Sequence, residues 1–400
     1  MTTPFNCLIM GAAGRDFHDF QVFFAKQPQF RVRAFTAAQI PFIEQRSFPK
    51  SLAGPQYDED IPIFSESRLS ELIRDLEIDF VFLAYSDLAH VEVMHRASLV
   101  QACGAGFAML GPRHTQLRAD RPVIAVTASR TGAGKSPLSQ FLAQHLTRLG
   151  VRVGVMRHPM PYGDLQQQAF QRFETPQDLD RFECTVEERE EYEPYVELGV
   201  VIHAGVDYAR VLAEAQRDSD VLLWDGGNND YSFVRPDLSI VVVDALRPGH
   251  EMQYYPGETN FRAADVIVIN KVENANPRDV ELIRESAAAV NPEAEIIEAD
   301  LEIQVDQPER ITGRRVLVVE DGPTLTHGGT TQGAGTLAAK RYFAAERLEP
   351  RSAAKGSIAE ALQRYPRLKK VLPALGYSPE QVRELRDTIL ASGAELLIDA

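Results

Sequence analysis

Residues 121–150, RPVIAVTASRTGAGKSPLSQFLAQHLTRLG, set a glycine-rich turn between an apolar strand and a helix with an apolar face. No other stretch narrows the fold so far. A strand that feeds a glycine-rich turn and then a helix is the unit of a phosphate-binding loop, and the crossover helix commits its strand to a parallel sheet. The usual pattern G-x-x-x-x-G-K-[ST] is kept at Gly134, Lys135 and Ser136, but its first glycine is Ser129 and the next residue is a cation, Arg130. The first position closes the turn, whereas Gly132 and Gly134 stand where backbone must approach a phosphate. Backbone N–H groups of Thr131, Gly132, Ala133, Gly134, Lys135 and Ser136 are therefore expected to converge on a nucleotide at the positive end of the helix. Lys135 would reach the terminal phosphates and Ser136 would ligate Mg2+. Leu138, Phe141, Leu142, Leu146 and Leu149 are expected to line the buried face of that helix.

Other strand ends supply partners. VLLWDGGNND ends an apolar run in Asp225, placed to share the magnesium shell, with Gly226 and Gly227 leaving room for a γ-phosphate. VIVINKVE ends in Asn270 and Lys271, as a base-recognition N-K-x-D motif would, but Glu273 holds the fourth position, so ATP is expected and GTP stays open. VRVGVMR leads to Arg157 and His158, candidates for contacting a phosphoryl acceptor. Between Asp244 and Asp265 some twenty residues show no helix or strand pattern yet carry Arg247, His250, Glu251 and Tyr255, a mixture suited to a polar, anionic ligand near the nucleotide or to a contact between subunits. His327 lies in the Gly/Thr-rich EDGPTLTHGG, a candidate anion-binding turn.

Three regions follow: a Rossmann-like domain over 1–118, a P-loop NTPase core over 119–345 with a mostly parallel sheet, and a small helical segment over 346–400. The fold class is α/β. The N-terminal GAAGRDFHDF lacks G-x-G-x-x-G, which argues against NAD, although its N–H groups and Arg15 could hold a phosphate. The acidic, aromatic stretch 166–199 reads equally as a lid or a solvated insertion. The closing AELLIDA reads as a strand cut short.

A net charge of −15 argues against nucleic-acid binding, and no run nears the ~20 apolar residues that span a bilayer. A start without a basic region or cleavage site makes the cytoplasm the expected compartment. Three cysteines, none in a C-x-x-C pair, suggest neither disulfides nor zinc. Only eight of the 42 basic residues are lysines, so Lys135 inside its turn is not incidental.

Taken in order, GAAGRDFHDF, SRTGAGKS, DALRPGHEMQYYPGETNFRAADVIVINK and EDGPTLTHGG resemble the cyclic 2,3-diphosphoglycerate synthetase family over most of the chain. The resemblance implies a phosphate-loop fold of the dethiobiotin synthetase and metal-chaperone GTPase kind behind a Rossmann-like domain. It also implies ATP- and Mg2+-dependent closure of an intramolecular phosphoanhydride on a small phosphorylated anion. Arg130, Lys135, Arg157, His158, Arg247 and His327 would then surround the reacting phosphates. Deviant phosphate loops of this group carry a lysine at the Arg130 position that reaches across a dimer, so a homodimer is expected. A GTPase switch or metallocentre chaperone of the same loop class is the alternative.

Overall fold

The computed structural model describes residues 3–12, 14–38, 46–159, 165–227, 230–321, 325, 333–375 and 378–400. It divides into two compact units, residues 1–184 with 190–299, and residues 185–189 with 300–400.

The first unit holds two sheets. In the N-terminal one, Phe5–Met10 lies between Phe30–Ala37 and Phe80–Leu83, all parallel, with Ile61–Ser65 and Gly106–Ala108 extending the two sides. Cys7 and Ile9 pack into one apolar cluster with Phe17, Phe20 and Phe35; Leu8 and Met10 pack into another with Leu72 and Val81. Alternation along a strand therefore buries both faces, as a doubly wound sheet requires. Strand order reverses beside Phe5–Met10, and ligand crevices in such sheets lie beyond the carboxyl ends of the strands at that reversal. The turn carrying Gly11, Gly14 and Arg15 and the turn carrying Asp87 both leave from there.

The second sheet has the order Gln171–Phe173, Val201–Ala204, Val153–Arg157, Val221–Trp224, Val123–Ala128, Leu238–Asp244, Val266–Asn270, Glu295–Ala299. All neighbours are parallel except the first pair. Val123–Ala128, which feeds the glycine-rich turn, sits near the centre, so the turn, Arg157, Asp225, Asp244 and Asn270 emerge along one edge. Leu138, Leu142 and Leu146 of the helix Lys135–Arg148 pack on the core, but Phe141 and Leu149 are exposed; the small Ser139 and Ala143 take the innermost places.

Two further expectations change. Residues 245–264 contain a short strand, Tyr254–Tyr255, antiparallel to Leu88–Ala89, and a helix, Gly257–Ala263. The stretch 166–199 is neither wholly lid nor wholly solvated, since its Tyr192 and Tyr195 are fully buried.

In the second unit, Arg315–Asp321 pairs in parallel with Glu346–Arg347, Leu372–Ala374 and Leu396–Asp399. That strand belongs with residues 300–400, and Leu396–Asp399, within the closing AELLIDA, pairs with it. The helices Gly356–Arg364 and Pro379–Ala391 accompany these strands, the second capped by the Ser378 hydroxyl accepting from the Gln381 N–H at 3.2 Å. Among the described residues, no helix is long and apolar enough to cross a membrane.

Candidate nucleotide and acceptor site

The glycine-rich turn is held from outside by side chains at or just past the carboxyl ends of Leu238–Asp244 and Val266–Asn270. Arg247 Nη2 donates to the Thr131 carbonyl at 2.8 Å, Lys271 Nζ to the Gly132 carbonyl at 2.6 Å, and Asn270 Nδ2 to the Ala133 carbonyl at 2.7 Å. A carbonyl and the N–H of the same planar peptide point in opposite directions. Fixing the Thr131 and Ala133 carbonyls thus aims the Gly132 and Gly134 N–H groups the other way, toward the mouth of the helix Lys135–Arg148. Gly132 (φ 78°) and Gly134 (φ 109°) supply the left-handed backbone this needs. Ser129 adopts no such conformation, which is why serine serves there. Its carbonyl instead receives the next helix: a Cβ on Gly257 would lie 2.2 Å from it.

Asp225 is the centre of the site. It is fully buried and accepts from Lys135 Nζ at 2.5 Å, Ser139 Oγ at 3.0 Å, Arg157 Nη1 at 2.6 Å and the Tyr195 hydroxyl at 2.6 Å. Burial pushes its pKa up, but the Arg157 guanidinium and the Lys135 ammonium outweigh burial and hold the carboxyl below its ordinary range. Arg157 also pairs with Glu191. Ser139 and Tyr195 escaped the sequence reading, one because it lies a helical turn past the motif, the other because the stretch 166–199 has no pattern that marks it as core.

Arg130 is turned into its own chain. Its Nε lies 2.8 Å from Asp87 Oδ1 and its guanidinium carbon stacks 3.5 Å from the Tyr254 ring centre. Asp87 also accepts from the Thr131 hydroxyl at 2.7 Å and is itself left-handed (φ 57°), a conformation rare enough outside glycine to mark a constrained position. Asp244 takes Arg247 at 2.8 Å and Lys271 at 3.0 Å. Each of these cations already has a carboxylate partner.

His158 leaves the strand Val153–Arg157 among Trp224, Phe233 and Tyr208, its Nδ1 bonded to the Tyr208 hydroxyl. Burial lowers its pKa to about 3, so it is a neutral imidazole. Gly14 and Gly227 both pack on its ring; a Cβ at either would come within 3.5 and 3.1 Å of it. The N-terminal glycine turn therefore meets the carboxyl end of the second sheet at His158. The N–H groups of that turn, which the sequence allowed to hold a phosphate, are taken up by its own chain. Its Gly11 and Gly14 N–H groups donate to the Thr36 carbonyl and to Asp16, and Asp16 fills the space beneath Gly11. His327 lies outside the described residues.

The donors Ser136, Asp225 and nucleotide oxygens suit a hard cation such as Mg2+. No group of three or more His, Cys, Asp or Glu side chains that could hold a metal occurs among the described residues, so phosphate and water would fill most of its shell.

A curated relative, arginine synthetase ArcE of Thermococcus kodakarensis, is 56% identical over 391 residues, spanning 98% of this chain and 87% of its own length. The chain belongs to the arginine synthetase ArcE family. No protein-family model matches it. Among solved structures, hydrogenase maturation factor HypB of Archaeoglobus fulgidus aligns with TM-score 0.31 and 20% identity, covering 45% of this chain and 81% of that one. A cobyrinic acid a,c-diamide synthase of Mycobacterium smegmatis with bound ADP and magnesium aligns with TM-score 0.21 and 16% identity, covering 65% and 100%. Those likenesses are slight, and the α/β assignment of this family member rests on the strand orders above.

Proposed function

We propose that this chain is an ATP- and Mg2+-dependent ligase that completes the guanidino group of arginine. The observation that carries the reading is charge matching. Arg15, Arg130, Lys135, Arg157, Arg247 and Lys271 are each within ion-pair distance of Asp19, Asp87, Asp225, Glu191, Asp230 or Asp244. A site for a bisphosphorylated acid would need a surplus of cations; this one suits a neutral or cationic acceptor. The product named for the 56% identical relative, arginine, is such a molecule.

The chemistry follows from what a phosphate loop transfers. Arginine has no oxygen on its guanidino carbon, so the oxygen that takes the γ-phosphoryl group belongs to a ureido precursor. Phosphorylation turns that oxygen into a leaving group, ammonia attacks the carbon, and phosphate departs with the oxygen while ADP remains. Lys135 would leave Asp225 for the transferred phosphate, and the fixed N–H groups of Gly132 and Gly134 would hold the nucleotide. Mg2+, with Ser136 and Asp225 nearby, would neutralise charge on the β- and γ-phosphates. Neutral His158 would hydrogen-bond the acceptor without adding positive charge.

Incubation with arginine, ADP, phosphate and Mg2+ should yield ATP and a ureido amino acid, detected by luciferase and mass spectrometry. Formation of a cyclic pyrophosphate from 2,3-diphosphoglycerate and ATP, seen by phosphorus NMR, with no arginine-dependent ATP, would favour the phosphoanhydride cyclase instead. Tight GTP binding with hydrolysis indifferent to either acceptor would favour a switch or metallochaperone.

A further inference from the structure

Arg15, Asp19, Asp230 and His158 form a second polar cluster where the carboxyl ends of the two sheets of the first unit meet. All four are buried or nearly so, and their hydrogen bonding is incomplete. Arg15 donates through Nη2 to the Tyr255 hydroxyl at 2.5 Å and packs against the Tyr231 and Tyr255 rings. Its Nε and Nη1 make no hydrogen bond; the carboxylates nearest them, Asp19 and Asp230, stand off at 3.8 and 3.6 Å. One oxygen of each carboxylate and His158 Nε2 are likewise without a hydrogen bond. Buried polar groups are almost always satisfied, so several open valences in one place mark a missing partner. Asp16 adds a third buried acid, leaving acids in excess over the lone arginine.

We propose that Asp19 and Asp230, braced by Arg15, form the binding site for a cationic nitrogen group of the substrate, the guanidinium in the case of arginine. The assignment rests on the ligase reading for the ligand's identity, but its position has separate support. The cluster lies at the strand-order reversal of the N-terminal sheet, where doubly wound sheets take ligands. It also touches His158, 3.7 Å from Asp230, beside the expected γ-phosphate position, so a guanidino carbon here would be within reach of transfer. A planar guanidinium presents paired donors that match carboxylate oxygens.

Proton linkage gives a signature. Burial pushes the Asp19 carboxyl up to about 8 and the Asp230 carboxyl up to about 7, against the opposing pull of Arg15. The groups facing Asp19 and Asp230 are Arg15, Asp16, His158, Tyr208, Tyr231 and the Ser86 hydroxyl, which hydrogen-bonds Asp230, and neither His158 nor the nearby His18 protonates near neutrality. A bound cation favours the ionised carboxyls, so binding near neutrality should expel protons and tighten as pH rises from 6 to 8.

The test is calorimetric titration of the full chain with L-arginine and with agmatine, which keeps the guanidinium and lacks the carboxylate, in two buffers of different ionisation enthalpy. Both ligands should bind the native protein with proton release at pH 6.5. Asp19→Asn and Asp230→Asn should each weaken both at least tenfold while Mg-ATP affinity stays within about twofold. Variants that hold ATP and still bind arginine like the native protein would overturn the assignment and leave the ligase reading standing. So would arginine binding without proton release, a readout that needs no variant to fold. A native protein that binds neither arginine nor agmatine would overturn the ligase reading, and this assignment with it.

Discussion

Lys135 Nζ lies 2.5 Å from Asp225 Oδ1, so the phosphate-loop lysine is stored on the acid that ends the neighbouring strand. A nucleotide phosphate must win it from a carboxylate that Arg157 continues to hold. Lys135→Ala should therefore lower turnover by about a hundredfold to a thousandfold, as expected for losing one preorganised charge at the reacting group. Steady-state kinetics beside a thermal melt would check this; ordinary turnover in a folded variant would remove the loop from the mechanism.

Tyr195 donates to the same buried carboxylate at 2.6 Å. Replacing it with phenylalanine keeps the ring in the core and deletes one bond to Asp225. The expected loss is about 1 to 2 kcal/mol in urea unfolding. An unchanged midpoint would mean that the helix Val186–Glu197 does not support the site.

Gly257→Ala places a methyl group 2.2 Å from the Ser129 carbonyl, and backbone, unlike a flexible side chain, cannot step aside cheaply. Overpacking of this kind costs about 1 to 3 kcal/mol, and here it should also displace the turn and weaken Mg-ATP binding. Gly111, with nothing within 4 Å of its virtual Cβ, is the matched control and should accept alanine without loss of nucleotide affinity.

Arg130 is buried against Asp87 and Tyr254 of its own chain. Arg130→Ala should reduce kcat, and mixing that variant with the Lys135→Ala variant should restore nothing beyond the sum of the two. Recovery of activity in the mixture would place Arg130 in a partner's site, as the homodimer reading of the sequence allows.

Stability should fall between about pH 6.5 and 8 in the ligand-free protein. Folded Asp19 and Asp230, with pKa values raised from 3.8 to about 8 and about 7, keep protons that the unfolded chain has released, so what they contribute declines as pH rises. His18 and His158, lowered from 6.5 to about 3, run the other way, because the unfolded chain binds their protons and stability rises with pH until about 6.5. The two slopes oppose each other in the acid range, and the carboxyls alone act above it. Denaturant midpoints across this window would show the decline, and Asp230→Asn should flatten it; a native profile that is already flat would contradict the raised carboxyls.

The phosphate loop was legible because its requirements are local. Strand, left-handed glycines, lysine and helix are consecutive, so TASRTGAGKS determined the turn, the parallel sheet around it and the roles open to Lys135 and Ser136. Other assignments depended on chain segments far apart in sequence. That Arg130 faces Asp87, that Tyr195 reaches Asp225, that Arg15 stands between Asp19 and Asp230, and that Arg315–Asp321 joins the C-terminal strands are decided by which sheet edges meet. The sequence displayed its cations and suggested an anion-binding site. Only the tertiary structure brought a carboxylate to each of them, because pairing needs proximity in space and burial makes an unpaired charge too costly to leave.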